Sequence, residues 1–371
     1  MVVLGRRGAR SQVTVEPRTL GADIYISMST REPAPSAFHA KRSASRTLTD
    51  GGTLTRPHCL AVMYHYVHDS EPLLPGNIGG LSRHDFVRQI DRLCQELEPT
   101  DWPSLYAWMQ GRGSIPPRSF LLTFDDALAD HARNVLPILN ERGLRGVFFV
   151  PGSVLTSHQL LSAHAVHMLL ASVGDEQLLR ELEAHVRSRT EGSTLLDKLD
   201  TVAAAAMYAY ESPRRARIKY LVTMVLPPDL RDEAVTALFE RHVGSPVRWA
   251  RRWYLGWDDL VAMQSSGHAV GGHGFSHEPY LRLAPARRRQ DAGHVAAILN
   301  DGLGPDIRPF SFPYGSFDDD SCAACAAAGF AHCFTTESTW ITPDCNVMCL
   351  PRVDTIHIAA ALKEEPSCAN T

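Results

Sequence analysis

Ser119-Phe-Leu-Leu-Thr-Phe-Asp-Asp126 is the stretch whose reading decides the fold. Its apolar run from Phe120 to Phe124 stops at two acids. A short apolar run closed by polar groups is the pattern of a strand buried in a parallel sheet or barrel. In such folds ligands meet the carboxyl ends of the strands, so Asp125 and Asp126 stand where chemistry is expected. Neighbouring side chains on a strand point to opposite faces. The two acids therefore share a pocket only if the strand ends there and the backbone turns. Ala127-Leu-Ala-Asp-His131 begins a helical pattern and supplies a turn. It equally allows either acid to be no more than a helix cap.

The same rhythm extends outward. Cys59 to Val67 reads as a buried strand ending in a polar cluster, and Gly146 to Val150 as another. Between them, residues 82–98 place Phe86, Ile90, Leu93 and Leu97 on one helical face behind Ser82 as N-cap. A short helix is expected near 103–110, and one through Val135, Leu136 and Leu139 that stops near Gly143. After Trp257 a helix to Gly267 precedes a strand and turn at His268–Gly274. A helix over 285–300, a strand over Arg308–Gly315, a helix over 319–329 and a strand over 332–336 follow. Strands alternating with helices imply parallel βαβ units, and their number suits a barrel of seven or eight strands. Residues 156–250 break the rhythm: they are rich in helix formers and read as a helical insertion. The expected organisation is a basic arm over 1–57, barrel over 58–155 and 251–358 around the insertion, and a tail over 359–371. An upstream start codon, with Met28 as the true beginning, is an alternative for the arm.

The chain has 371 residues, 44% of them hydrophobic and 21% charged, which is enough for a large core. A net charge of −4 gives no sign of a general nucleic-acid binder. No secretory signal and no span of about 18 or more apolar residues is visible, so a cytoplasmic location is expected. Of the eight cysteines, Cys59 and Cys94 read as small buried hydrophobes. Cys322-x-x-Cys325 with Cys333, Cys345 and Cys349 hints at a second metal site, but the Ala-rich helical context favours reduced thiols.

Three further features bear chemistry. His273-Gly-Phe-Ser-His277 spaces two imidazoles at i and i+4, which on a helical turn would face one metal ion. Gly271, Gly272 and Gly274 permit tight backbone beside them. Joined to Asp126, the pair makes a three-ligand set with an open position, the arrangement of catalytic zinc, and leaves Asp125 free as a base. Phe312-Pro-Tyr-Gly315 lies at a strand end, where Pro313 and Gly315 fix a bend able to aim the Tyr314 amide at a developing oxyanion.

Thr123-Phe-Asp-Asp126, His273-x-x-x-His277 and Phe312-Pro-Tyr-Gly315, in this order, resemble the motifs of the polysaccharide deacetylase (NodB-homology) family. The resemblance covers roughly residues 58–355 apart from the insertion. It implies an α/β fold, a distorted (β/α) barrel of about seven strands, and a metal-dependent deacetylase. It makes Asp125 the general base, gives Asp126, His273 and His277 the metal, and assigns the Tyr314 backbone to the oxyanion. Val62-Met-Tyr-His65 is similar to the strand-end histidine motif that carries the general acid. A subgroup acting on exopolysaccharide has it near the start, so His65 is the preferred acid and His357 the second candidate. Two positions depart from the family pattern. Ala127 stands where Gly is usual, and Ser311 where an Arg often pairs with the base; Arg308 and Arg352 are the candidates to replace that Arg.

The expected reaction is hydrolysis of an N-acetyl group on an amino sugar or glycoconjugate, releasing acetate. The expected cofactor is zinc, though Co, Ni, Mn or Fe would suit the same ligands. Alternatives are a hydrolase of a non-sugar amide on the same barrel, or a barrel that binds glycan without turnover.

Overall fold

The computed structural model describes residues 56–68 and 78–364, all within one compact unit spanning 43–371. The expected arm over 1–57 lies almost wholly outside the described residues. In chain order the strands are β1 His58–Tyr64, β2 Val67–His68, β3 Leu81–Ser82, β4 Glu98–Pro99 and β5 Arg118–Phe124. They continue with β6 Gly146–Val150, β7 Ala269–Gly272, β8 Pro309–Ser311, β9 His332–Phe334 and β10 Val353–Asp354. Seven of them form one curled parallel sheet in the order β10-β1-β5-β6-β7-β8-β9. The two-residue β4 is added beside β5, and β2 pairs with β3 apart from the sheet.

Strand alternation sorts the buried side chains into two sets. Leu60, Val62 and Tyr64 of β1, Phe120, Leu122 and Phe124 of β5, and Phe148 and Val150 of β6 pack in the larger cluster, under the helices. Cys59 and Ala61, Leu121, and Val147 and Phe149 of the same strands pack in the second. The second set is filled by Trp102, Leu105, Trp108 and Met109 of helix α2 (Trp102–Met109). Period-2 alternation with both faces apolar is what makes these runs look unbroken in sequence.

Helix α1 (Arg83–Glu96) starts where expected, with the Ser82 hydroxyl accepting from the Asp85 amide at 3.0 Å and Phe86, Ile90 and Leu93 buried. After β5 one π-helical turn, His131–Val135, leads into α3 (Leu136–Glu141). Short α4 (Gly152–Thr156) follows β6. The expected insertion is then a run of helices: α5 (Ser162–Arg187), α6 (Gly192–Asp197), α7 (Thr201–Met207), α8 (Pro213–Tyr220), α9 (Pro228–His242) and α10 (Pro246–Trp253). The outer frame resumes with α11 (Trp257–Ser265), α12 (Pro285–Leu303) and α13 (Asp319–Ala327). The expected tail over 359–371 begins within α14, Ile358–Ala361, and residues 365–371 lie outside the described residues. No helix among the described residues is long and apolar enough to cross a membrane. Cys94 is exposed, against the expectation of a buried thiol; it lies in the last turn of α1, at the edge of the apolar face that Phe86, Ile90 and Leu93 form.

The sheet turns back on itself through a segment that sequence periodicity did not reveal. Leu350 exchanges backbone hydrogen bonds with β9, its N–H reaching Cys333 O at 2.8 Å and its O accepting from Thr335 N–H at 2.8 Å. Three residues on, Val353 lies across from Val62 of β1. Residues 350–354 thus bridge from β9 to β1, with Arg352 in the middle.

Gly271 is needed where β7 meets β8. A Cβ there would sit 2.5 Å from the Pro309 carbonyl oxygen and 2.8 Å from the Phe149 ring. Gly271→Ala must therefore push two strands apart. It should lower unfolding stability by about 1–3 kcal/mol, read as a shift in urea midpoint; an unshifted midpoint would show that the strands yield freely.

Candidate active site

His65, Asp125, Asp126, His273, the Phe312–Gly315 turn and Asp354 all follow directly on, or end, a strand of the parallel sheet, at its carboxyl edge. With residues of the insertion they line a cavity of about 510 Å³. Asp125 continues the inward parity of Leu121 and Thr123. By alternation Asp126 would face outward. Its backbone instead takes φ 75°, followed by Ala127 at φ 52°, and this left-handed turn brings the second acid round to the same cavity. The expected turn is present. The Ala127 departure is accommodated by placing a non-glycine residue where glycine would be unstrained.

Asp125 is buried against Arg352. The guanidinium forks onto both carboxylate oxygens at 2.7 and 2.8 Å. Its remaining N–H groups reach Thr123 Oγ1 at 3.2 Å, Ser311 Oγ at 2.8 Å and Thr335 O at 3.0 Å. All five donors are thus used, and the residue is fully buried. Burial pushes the Asp125 carboxyl up, but the charge and hydrogen bonds of Arg352, with His273, outweigh it and hold the group at about 2. Arg352, rather than Arg308, therefore pairs with this acid; Arg308 bonds the carbonyls of Val270 and Gly304 instead. Ser311, at the position where the family often has Arg, adds its hydroxyl to the same network.

Asp126 Oδ1 lies 3.3 Å from His273 Nε2 and 3.0 Å from His277 Nε2. The two imidazoles do not share a helical turn. They sit on an irregular loop after β7, with Gly274 at φ 68° and His277 at φ 56°. Asp291 of α12 holds that loop by accepting from the amides of Phe275 and Ser276 at 2.8 and 3.0 Å. Glu278, next to His277, is paired at 2.5 Å with Arg231 of α9. A carboxylate from a neighbouring helix thus does what helical backbone bonds were expected to do.

The residues fit a divalent cation. Asp126, His273 and His277 form, among the described residues, the one set of three such side chains whose ligand atoms all lie within 4.8 Å of one another. His273 Nδ1 donates to the Ser311 carbonyl at 2.7 Å, so the neutral ring turns its Nε2 lone pair toward the acid. Asp126 Oδ1 is buried and makes no well-aligned hydrogen bond. Two imidazole nitrogens converging on a buried carboxylate oxygen call for a positive charge among them, which a divalent ion supplies when both rings are neutral. Burial raises the Asp126 carboxyl, but His277 and His164 outweigh it and hold it well below the usual range. Burial keeps His277 below its ordinary value, toward the neutral form that ligates metal. Asp125 and Asp126 overcome burial to pull His273 the other way.

The remaining expected residues fall as follows. His65 lines the cavity, is half-exposed, and places Nε2 4.0 Å from Asp125 Oδ2. Its carbonyl accepts from His131 Nε2 at 2.8 Å, which fastens the end of β1 to the π-helical turn. His357 is bonded to Tyr210 at 2.9 Å and is not among the described residues that line the cavity. Pro313–Gly315 form one 3-10 turn with Tyr314 at φ 58°, its ring 5.0 Å from that of His277. Sequence reasoning missed His164 of α5, whose Nε2 is 3.0 Å from Asp126 Oδ2. One histidine among 17 in the chain, inside a helical segment, carries no spacing signal. The cysteine cluster brings Cys322 Sγ and Cys349 Sγ to 3.6 Å but does not meet the closeness of the Asp126 set.

A family model described as polysaccharide deacetylase matches residues 112–186 and 233–333. The match spans Asp125, Asp126, His273, His277 and Tyr314, and it omits residues 187–232, within the insertion. His65 and Arg352 lie outside it. The structure of IcaB from Ammonifex degensii is similar, with a TM-score of 0.51 at 17% identity over 83% of this chain and 98% of that one. The Streptococcus pyogenes deacetylase PplD, solved in complex with acetate, gives a TM-score of 0.51 at 12% identity over 83% and 99%. At such identities the likeness is one of fold. No curated protein sequence matches the chain.

The Arg352 network makes a quantitative prediction. Taking one partner from a buried ion pair leaves a bare charge, which costs about 3–5 kcal/mol. Arg352→Met should lose that much unfolding stability in urea, and the added change Asp125→Asn should restore part of it. Equal, additive losses would mean that the two residues do not depend on each other.

Proposed function

We propose, for a chain that belongs to the polysaccharide deacetylase family, that this site removes an N-acetyl group from an amino sugar in a metal-dependent hydrolysis. The family's chemistry is that of a hydrolase of carbon–nitrogen bonds in linear amides, and it acts on acetylated glycans. The amino sugar, the cation and the individual roles below are the proposal. The observation that carries it is the arrangement of the two acids: both oxygens of Asp125 are engaged by Arg352, while Asp126 offers a bare buried oxygen toward two imidazoles.

Asp126, His273 and His277 would hold the cation, with zinc as the expected ion. A bound divalent ion polarises the acetyl carbonyl and brings the pKa of a coordinated water down to about 7. That help is needed, because Asp125 at about 2 is a weak base. A weak, firmly ionised base suffices when the proton it receives comes from an acidic water. The Arg352 fork also fixes where Asp125 points, so that no reorganisation is needed as the water loses its proton. The tetrahedral oxyanion would be met by the Tyr314 amide, on a turn whose left-handed backbone is held at the cavity wall. His65 would protonate the leaving amine, since an amide anion is too basic to depart unprotonated. Its half-exposed ring lets it regain a proton from solvent. Acetate and the free amine are the products.

Acetate release from acetamido sugars, with and without chelator, tests the reading; no release from any acetylated glycan by zinc-loaded protein would refute it. Asp125→Asn should lower kcat by about 10²–10⁴-fold while leaving bound zinc near one per chain. Asp126→Asn should lose both. His65→Ala should lower kcat over the same range of roughly 10²–10⁴, and His357→Ala should leave it unchanged. The reverse pattern in the histidine pair would transfer the acid role to His357.

A further inference from the structure

The helical insertion reaches the carboxylate of Asp126 through the His164 side chain, and the contact is itself held in place. His164, in the first turn of α5, is buried and puts Nε2 3.0 Å from Asp126 Oδ2. Its Nδ1 lies 2.6 Å from the Tyr254 hydroxyl. That hydroxyl oxygen already accepts from the Leu161 amide at 3.0 Å, so its own proton is free to point at Nδ1. With Nδ1 accepting, the imidazole carries its proton on Nε2 and donates to Asp126. The opposite tautomer would set a ring lone pair against a carboxylate lone pair in a dry site, which is repulsive.

Tyr254 is anchored in turn to the strained turn beside Asp126. It forms an antiparallel bridge with Leu128, and the next amide, Leu255 N–H, donates to Ala127 O at 2.8 Å. Backbone and side chain of the 254–255 segment therefore grip the same turn from two directions.

We propose that His164 and Tyr254 are positioning residues that tie Asp126 Oδ2 so that Oδ1 is presented to the cation, and that the insertion thereby sets the metal affinity of the barrel. This rests on the reading that Asp126, His273 and His277 bind a divalent ion. It does not rest on what the enzyme deacetylates. A free carboxylate must give up rotation to ligate; one already hydrogen-bonded on its far oxygen has done so on folding. Partners of this kind to ligating side chains change metal affinity by roughly 10–100-fold when lost.

The test measures zinc affinity by competition with a chromophoric chelator, together with thermal unfolding of the metal-free protein. His164→Ala should weaken zinc roughly 10–100-fold. His164→Gln, which keeps an N–H donor, should recover part of that loss. Tyr254→Phe removes one oxygen from a packed site and should weaken zinc by a smaller factor, because His164 loses the partner that fixes its tautomer. Unchanged affinity in both His164→Ala and Tyr254→Phe, whatever happens to the metal-free Tm, would overturn the proposal and leave the two residues as packing. So would a crystal structure of the zinc-loaded protein with His164 Nε2 about 2 Å from the ion, since His164 would then be a ligand. Zinc weakened as expected in the variants, beside a zinc-loaded wild type that releases no acetate, would sink the deacetylase reading and leave this one standing.

Discussion

The buried pair of Arg352 and Asp125 is the constraint on which the site depends. A guanidinium with all five donors used binds three other stretches of chain from its own place before β10: the end of β5 through Thr123 and Asp125, β8 through Ser311, and the backbone just after β9 through Thr335. Neither charge is tolerable alone in that interior, so the strand ends are held in one arrangement or the core carries a bare ion. In the proposed chemistry the pair would also divide labour between the acids. With both oxygens of Asp125 engaged, the neighbouring carboxylate is the one left to meet a cation. Lys at 352 would keep the charge but not the planar fork that does this.

A second constraint is backbone strain gathered at the same place. Among the described residues, five that are not glycine take a left-handed φ, and Asp126, Ala127, His277 and Tyr314 are four of them. Such conformations cost of order 1–3 kcal/mol each and persist where the surroundings over-determine them. Here the surroundings are visible. The Ala127 carbonyl is bonded by Leu255, the His277 loop is cradled by Asp291 and pinned through Glu278 to Arg231, and the Tyr314 ring packs on His277. Several of these restraints come from the insertion or its borders, which therefore acts on the site as well as walling it.

Much of this was legible in the sequence where one residue's neighbours are its sequence neighbours. The Ser82 cap, the apolar face of α1 and the buried runs of β1, β5 and β6 follow from local periodicity. The Asp125-Asp126 pair stood out because it ends such a run. What was not legible is what joins distant segments. His273 and His277 were expected to converge on a helical turn; they converge on a loop, because Asp291 supplies from α12 the restraint that i to i+4 bonding would have given. Arg352 could be nominated but not placed, lying 227 positions from Asp125. The closing segment is too short to show a period, and His164 belongs to a helix whose pattern speaks only of packing.

The proposed chemistry requires a cation held by Asp126, His273 and His277 with Asp125 unligated beside it. Anomalous scattering at the zinc edge from crystals of the zinc-loaded protein measures this directly. One peak is expected among Asp126 Oδ1, His273 Nε2 and His277 Nε2, with the Arg352–Asp125 fork intact. A peak bound by Asp125, or one lying elsewhere in the barrel, would contradict it.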